Sequence, residues 1–83
     1  MKLTYDPRHN VAYIRLREKS GQVETIRVSD ELNIDLAPDG TIYGIELLNA
    51  NEQLRAGDGG RIVVVDEAKG EEQALALSSN LRP

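Results

Sequence analysis

A turn signal in the middle of the chain constrains the fold more than any other feature. The residues Ala37, Pro38, Asp39 and Gly40 stand between two runs in which apolar and polar side chains alternate. Proline presets φ near the value required at the first central turn position, and glycine readily adopts the left-handed conformation. This combination is typical of a three-residue hairpin loop with a bulge. We therefore predict an antiparallel hairpin formed by residues 32–37 and 41–48.

The register of this hairpin singles out one acidic residue. With residues 38–40 as the loop, Leu32 lies opposite Glu46 and Asp35 lies opposite Tyr43, because cross-strand partners share a face. Glu46 then falls on the apolar face, where an unpaired carboxylate is costly and where such groups often mark functional sites. Two interpretations stay open: a structural ion pair or exposed residue, and a catalytic or ligand-binding residue. Glu46 is therefore the first candidate binding residue, with Asp35 and Tyr43 in the same hairpin.

The second strand of the hairpin is apolar on both faces. Residues 41–48 read TIYGIELL, whereas a strand at the rim of a one-sided sheet would alternate more strictly. We predict a central strand that is covered on both sides, by a helix, by the C-terminal segment or by a second copy of the chain.

The N-terminal part of the chain predicts three further strands. Residues 2–5 and 11–18 read as strands that flank a loop, and a turn at residues 19–21 leads into a strand over 22–28. If Glu18 pairs with Gln22, Ile14 lies opposite Ile26 on a shared apolar face. With the central hairpin, these segments give an antiparallel β-meander of five strands.

The C-terminal part of the chain carries weaker secondary-structure signals. Residues 49–55 resemble a capped helix of about two turns. Residues 61–66 form a sixth strand on composition, and their continuous apolar character predicts burial on both faces. For residues 71–79, composition favours a helix and the alternation of Leu75 and Leu77 favours a strand; we interpret the segment as a helix. The predicted fold class is α+β, with five to six strands and one or two short helices.

A family resemblance rests on several motifs of this chain. They are Tyr5-Asp6, the run Ala12 to Leu16, Asn33-Ile34-Asp35, and the run Asp39 to Ala50, which contains Gly44-Ile45-Glu46. These motifs resemble the prokaryotic domain of unknown function 2283 family. The resemblance covers residues 1–56 and leaves residues 57–83 as a C-terminal extension of a single domain. It implies no established activity. Some members are thought to be encoded beside small toxin-like proteins, so the resemblance implies an antitoxin-like or other partner-binding role.

Length and composition predict association. A chain of 83 residues buries roughly 60 to 65% of the surface that its unfolded form exposes, so it needs a staple or a partner. The absence of cysteine excludes disulfides and thiolate metal sites. We expect a homodimer, with no cofactor and no metal. No signal core or membrane-length apolar run is present, so a cytoplasmic location is expected.

Positive charge is scattered rather than clustered. The net charge is −4, and the nearest approach to a basic patch is Arg15 and Arg17 on one strand face, with Arg27 expected on the neighbouring strand. We interpret these arginines as a solvated sheet face or as the recognition surface for an acidic partner, and nucleic acid binding is not favoured. His9 stands alone in a turn, where one imidazole cannot build a multi-histidine site.

Two functions from different classes follow. The first is a non-enzymatic protein-interaction module, with an antitoxin-like role as its finer form, because no catalytic constellation is visible and apolar surface is in excess. The second is a small ligand-binding protein or hydrolase with Glu46 in an intersubunit cleft. A pocket that converges on Glu46 with His9 or an arginine nearby would favour the second function, and a tightly filled interface with Glu46 ion-paired would favour the first.

Overall fold

The computed structural model describes residues 1–55 and 57–77. The chain divides into two compact units, Met1–Ala50 and Asn51–Pro83. Each unit has its own sheet, and all strand pairs in both sheets are antiparallel. The α+β class predicted from the sequence is confirmed.

The first unit is a five-stranded sheet. Its strands, in chain order, are β1 (Lys2–Asp6), β2 (Val11–Arg15), β3 (Glu24–Ser29), β4 (Leu32–Leu36) and β5 (Ile42–Leu48). Their order across the sheet is β1-β2-β5-β4-β3. The apolar strand β5 is therefore central, as its two-sided composition predicts.

The predicted hairpin between the second and third strands is wrong. β2 pairs with β5, so that Ile14 lies opposite Ile45 rather than Ile26. β3 pairs only with β4 within this sheet, and Ile26 lies opposite Ile34. Both pairings keep the apolar side chains of β2 and β3 on one face, so local alternation does not distinguish between them. Residues 16–23 form a long connection instead of the tight turn expected at 19–21.

The central hairpin follows the prediction at its tip and departs from it one residue later. The Ala37 N–H donates to the Thr41 carbonyl at 2.8 Å, and Gly40 has a φ of 91°. Leu36 lies opposite Ile42 as expected, but the next pair is Asp35 with Gly44. Tyr43 is therefore the extra residue of a β-bulge, which shifts all later residues of β5 to the other face.

The sheet has one apolar face and one polar face. Alternation and register bring eleven apolar side chains to the face that we call the apolar face. They are Leu3, Tyr5, Ala12, Ile14, Ile26, Leu32, Ile34, Leu36, Ile42, Ile45 and Leu47. Of these eleven, only Ala12 is buried, and Ile26 at the β3 edge is 43% exposed. Across the described residues, no large side chain is fully buried.

The second unit contains a two-stranded sheet. Helix α1 (Ala50–Arg55) precedes β6 (Arg61–Asp66) and β7 (Glu71–Ala76), which pair with each other. The helix and the sixth strand were expected, but the helix predicted over 71–79 is wrong because residues 71–76 are strand. Pairing with β6 decides in favour of the alternating pattern over composition. Residues 56 and 78–83, including the rest of that predicted helix, lie outside the described residues.

The sixth strand also differs from its predicted environment. Val64 is 60% exposed and Val65 is 54% exposed, although continuous apolar character predicts burial on both faces. β6 and β7 pair with each other, so within the described residues each of them has one partner strand. Within residues 1–55 and 57–77, no helix is long and apolar enough to cross a membrane.

Candidate functional site

A buried carboxylate organises the polar face of the five-stranded sheet. Asp35 lies on β4, is 9% exposed, and accepts hydrogen bonds from the Tyr13 hydroxyl at 2.8 Å and the Thr25 hydroxyl at 2.7 Å. The Lys19 ammonium lies 3.0 Å from the same carboxylate. These donors come from β2, β3 and the connection between them. Asp35 therefore ties the connection to the sheet.

The protonation states of this cluster are fixed by its hydrogen bonds. Burial alone would raise the pKa of Asp35, but hydrogen bonds from Thr25, Lys19 and Tyr13 outweigh it and hold that pKa below the usual value. The hydrogen bond to Asp35 raises the pKa of the Lys19 ammonium. Burial, followed by the bond to Asp35, raises the pKa of the Tyr13 phenol. At neutral pH the cluster is thus an ion pair with a neutral phenol.

Tyr13 reaches Asp35 because β5 carries a glycine beneath it. A Cβ atom at Gly44 would lie 2.4 Å from the Tyr13 hydroxyl oxygen and 2.6 Å from the Ile14 carbonyl oxygen. Glycine inside a strand often marks such a close approach. The Lys19 ammonium lies 4.9 Å from the centroid of the Tyr13 ring, within the range of a cation–π contact. Gly44, Tyr13 and Lys19 form a layered stack on the polar face.

Glu46 lies on this polar face and not on the apolar face. The bulge at Tyr43 places it opposite Asn33 on β4 and opposite Tyr13 on β2. The Asn33 amide nitrogen donates to the Glu46 carboxylate at 3.0 Å. The prediction of an isolated acid among apolar side chains is wrong because it assumed a regular ladder beyond the turn.

A cleft of about 520 Å³ opens on the polar face. Its lining includes Glu46, Asp35, Tyr13 and Lys19, together with Asp6 at the end of β1. Three carboxylates and one ammonium give this group of side chains a negative balance. The Glu46 carboxylate can accept further hydrogen bonds there, whereas Asp35 already has three donors.

The three arginines proposed as binding residues do not form a single patch. β2 and β3 are separated by β5 and β4, so Arg15 and Arg27 do not lie on neighbouring strands. Arg15 pairs with Glu18 at 3.1 Å, and Arg27 pairs with Asp30 at 2.9 Å. Arg17 follows the end of β2, where its backbone N–H donates to the Tyr43 carbonyl at 3.3 Å.

Two other residues singled out in the sequence have local contacts. Tyr43 is 4% exposed, so its side chain belongs to the interior of the first unit. The His9 imidazole lies 2.6 Å from the Asp6 carboxylate in the turn between β1 and β2; the His9 side chain is largely exposed and the Asp6 side chain is half-exposed. The hydrogen bond from His9 holds the pKa of Asp6 below its usual value. Within the described residues, no group of three or more acidic, histidine or cysteine side chains is arranged to hold a metal ion.

Sequence reasoning missed all four hydrogen-bonding or ion-pair partners of Asp35 and Glu46 described above. Tyr13, Lys19 and Thr25 reach Asp35 from segments whose positions depend on long-range strand order. Asn33 meets Glu46 because of the bulge in their shared hairpin. One local signal was available. A glycine in the middle of an apolar strand indicates that another group approaches the backbone at Gly44.

Comparison with known proteins places the chain in a family. The profile of the family described as "Protein of unknown function (DUF2283)" matches residues 2–51, which is more than half of the chain. The chain belongs to this family. The match spans the whole five-stranded sheet and the first residues of α1. Searches of curated proteins and of solved structures give no match.

Proposed function

We propose that this chain is a non-enzymatic protein-association module whose working form is a homodimer. The observation that carries the proposal is the apolar face of the five-stranded sheet, on which ten of the eleven apolar side chains are not buried. On the polar face, by contrast, the buried carboxylate of Asp35 has two hydrogen-bond donors and a lysine as partners within the chain. Removing the apolar face from water is the largest favourable change open to this sheet.

A second copy of the chain suits this face. An isologous contact uses the same patch on both subunits, so an apolar patch is automatically matched in chemistry. Within the described strands, Glu24 is the one charged side chain on the apolar face, and it lies at the β3 edge. Two copies with a net charge of −4 each can therefore meet there without placing charges in contact. Two sheets in face-to-face contact pack about 10 Å apart.

The size of the face predicts the strength of the contact. Five strands about 4.8 Å apart and about 17 Å long give a flat footprint of roughly 400 Å². Standard interfaces bury about 800 Å² per partner. We therefore expect a dimer that dissociates on dilution.

The test compares two neighbouring residues of β1 that face opposite sides. Light scattering across a dilution series is measured for the wild type, Leu3→Lys and Thr4→Lys. Leu3 lies opposite Ile14 on the apolar face, and Thr4 lies opposite Tyr13 on the polar face. The same charge is added at adjacent positions, and we expect Leu3→Lys, but not Thr4→Lys, to remove the face-to-face contact and lower the mass at a given concentration.

Unfolding curves show that each variant is folded before its mass is interpreted. A milder change, Ile14→Thr, covers the case in which Leu3→Lys does not fold, and it should weaken the dimer at least severalfold. A wild type that stays monomeric at the highest concentration, or a dimer indifferent to both apolar-face changes, would overturn the proposal.

The finer role proposed is an antitoxin-like one, in which a small protein partner replaces or joins the second copy. It is supported by the family resemblance described above and by the same half-exposed apolar face. Co-expression with the protein encoded by the adjacent gene, followed by size-exclusion chromatography, tests it. A complex that is lost in Leu3→Lys and kept in Thr4→Lys would support this role, and separate elution would contradict it.

The cleft on the polar face favours a second candidate function, the binding of a small molecule. The Glu46 carboxylate and the negative balance of the lining suit a small organic cation. Putrescine, agmatine and ethanolamine are suitable probes in a thermal-shift titration. A saturable stabilisation that disappears in Glu46→Gln would support the function, and its absence at millimolar probe would exclude it for these cations.

A further inference from the structure

The two edges of the five-stranded sheet differ in how they are protected. In β1, Leu3, Tyr5 and Asp6 are half-buried, and Pro7 follows directly. In β3, every residue from Glu24 to Ser29 is exposed. An edge strand presents unpaired N–H and C=O groups that can pair with another strand.

β3 carries only part of the set of devices that usually block such pairing, namely the bulge after Arg27 and Glu24 on the apolar face. It contains no proline and no lysine, and its two ionisable residues are Glu24 and Arg27. Ile26 is 43% exposed and Val28 is 53% exposed. Proteins that keep an edge free tend to place lysine, proline or an inward-pointing charge on it. A bulge follows Arg27, so the regular part of the edge is short.

We propose that β3 is a strand-pairing surface and that its occupant is β3 of a second copy, antiparallel, with Ile26 opposite Ile26 on a two-fold axis. This inference rests on the proposed self-association and adds a second contact to it. The pairing would join two five-stranded sheets edge to edge and supply the missing partners of the β3 backbone.

The register follows from the side chains. Directly opposed residues share a face, so the two-fold axis must pass through a residue and not between two residues. An axis at Ile26 places Ile26 against itself and Thr25 against Arg27 of the other copy. An axis at Arg27 would oppose two guanidinium groups, and an axis at Thr25 would oppose Ile26 to Glu24. Like charges that face each other destabilise a strand pair, so the axis at Ile26 is preferred.

Charge on the polar face supports a second copy as the occupant. Thr25 donates its hydroxyl hydrogen to Asp35 at 2.7 Å, so the position opposite Thr25 lies near a carboxylate. In the proposed register, Arg27 of the second copy takes that position. The strand carries one acid and one base, so two copies of β3 bring no net charge together despite the negative charge of the whole chain.

The edge contact and the apolar-face contact are compatible. An edge-to-edge pair is related by a two-fold axis perpendicular to the sheet, and a face-to-face pair by an axis parallel to it. Axes of these kinds combine in a tetramer with D2 symmetry, a common form of soluble oligomer. We expect dimers joined by one contact to assemble through the other as concentration rises.

Disulfide trapping tests the register directly, because the chain has no cysteine of its own. Single variants Thr25→Cys, Ile26→Cys and Arg27→Cys are oxidised under identical conditions and analysed on non-reducing gels. Only the residue on the axis lies directly opposite the same residue of the other copy. Residues 25 and 27 each lie diagonally from the same residue of the other copy, about 7 to 8 Å away. We therefore expect Ile26→Cys to cross-link at least about tenfold faster than the other two, because Cα atoms more than 7 Å apart do not form unstrained disulfides.

Controls separate this inference from the proposed function. Val64→Cys is also exposed but lies in β6, and it reports the background rate of random collisions. Ile26→Cys combined with Leu3→Lys should still cross-link, since the edge does not depend on the apolar face. Equal rates at all positions, or the fastest rate at a residue other than Ile26, would overturn the proposed register. A third outcome is that Ile26→Cys cross-links while Leu3→Lys leaves the mass of the protein unchanged. That outcome would support the edge contact and reject the face contact.

Discussion

The two faces of the five-stranded sheet reach stability by different routes. On the polar face, hydrogen bonds and one ion pair join residues of four strands and one connection around Asp35 and Glu46. On the apolar face, eleven apolar side chains lie side by side, and Ala12 alone among them is buried. The polar face is completed by its own residues, while the apolar face gains stability from any partner that covers it. Changes to the first should affect folding, and changes to the second should affect association.

The largest effect on the polar face is expected from a side chain that fills the space beneath Tyr13. In Gly44→Val, the new Cβ would lie 2.4 Å from the Tyr13 hydroxyl and 2.6 Å from the Ile14 carbonyl. The tyrosine can rotate away but the backbone carbonyl cannot, so Tyr13 loses Asp35 and the β2–β5 ladder is strained. We expect a loss of about 3 kcal/mol or more in the free energy of unfolding, measured by urea titration.

Gly21→Ala is the matched control for that experiment. A Cβ at Gly21 has no heavy atom within 4 Å, so its free energy of unfolding should stay within about 0.5 kcal/mol of the wild type. A Gly44→Val protein as stable as Gly21→Ala would show that the close approach of Tyr13 is not required by the fold.

The next largest effect is expected from removing the carboxylate of Asp35. Asp35→Ala leaves the hydroxyls of Tyr13 and Thr25 and the Lys19 ammonium without their shared acceptor. Unsatisfied groups at a half-buried site cost more than the hydrogen bonds themselves contribute, so we expect a loss of about 2 to 3 kcal/mol. Urea unfolding of Asp35→Ala beside Glu46→Gln measures this.

Glu46→Gln keeps an acceptor for the Asn33 amide and should cost less than about 1 kcal/mol. If the two variants were equally stable, Asp35 would not be the organising residue of the polar face. Light scattering on Asp35→Ala and Glu46→Gln should show the association of the wild type, since neither change alters the apolar face.

Much of this architecture follows from the sequence, and the missing parts have two physical origins. The turn at residues 37–41, the central place of β5 and the strand character of β6 depend on local residues, and all were predicted. The β2–β5 pairing depends on contacts between distant segments, whereas the bulge at Tyr43 is a break in regular alternation inside the hairpin itself. A single extra residue in β5 moved Glu46 from one face to the other, because side chains alternate with a period of two.

The same two origins explain the candidate site. Asp35 and Glu46 were singled out for the hairpin they share, but the partners of Asp35 lie on β2, β3 and the connection between those strands. Glu46 meets Asn33 of its own hairpin only because of the bulge. The basic patch of Arg15 and Arg27 failed for the corresponding reason, since two strands intervene between them. Alternating patterns assign residues to faces, while the order of strands decides which residues on a face are neighbours.

Acid should affect the polar face through Asp35. Its pKa is lowered in the folded protein, so Asp35 contributes stability above its unfolded value near 3.8, and this contribution is lost as pH falls through the folded pKa. We expect the urea midpoint to fall below about pH 4, with a shallower fall in Asp35→Asn. Identical pH profiles for the two proteins would assign the acid sensitivity to other groups, such as the exposed Asp6 and Asp39, whose pKa values are also lowered.

A smaller effect than that of Asp35→Ala is expected from the loss of the Lys19 ammonium, and its salt dependence distinguishes the polar face from the apolar face. Lys19 contacts the polar face through the carboxylate of Asp35 at 3.0 Å and the ring of Tyr13 at 4.9 Å, but its side chain is 43% exposed. Exposed ion pairs contribute about 0.2 to 1 kcal/mol, and an exposed cation–π contact adds about 0.5 to 1 kcal/mol, so Lys19→Met should cost about 1 kcal/mol in urea unfolding. Salt screens this pair, so the difference between Lys19→Met and the wild type should shrink in 1 M NaCl. The same salt should strengthen the apolar-face dimer or leave it unchanged, because that contact contains no ion pair. A dimer that weakens with salt in parallel with the Lys19 contribution would mean that charged groups, and not the apolar face, hold the two copies together.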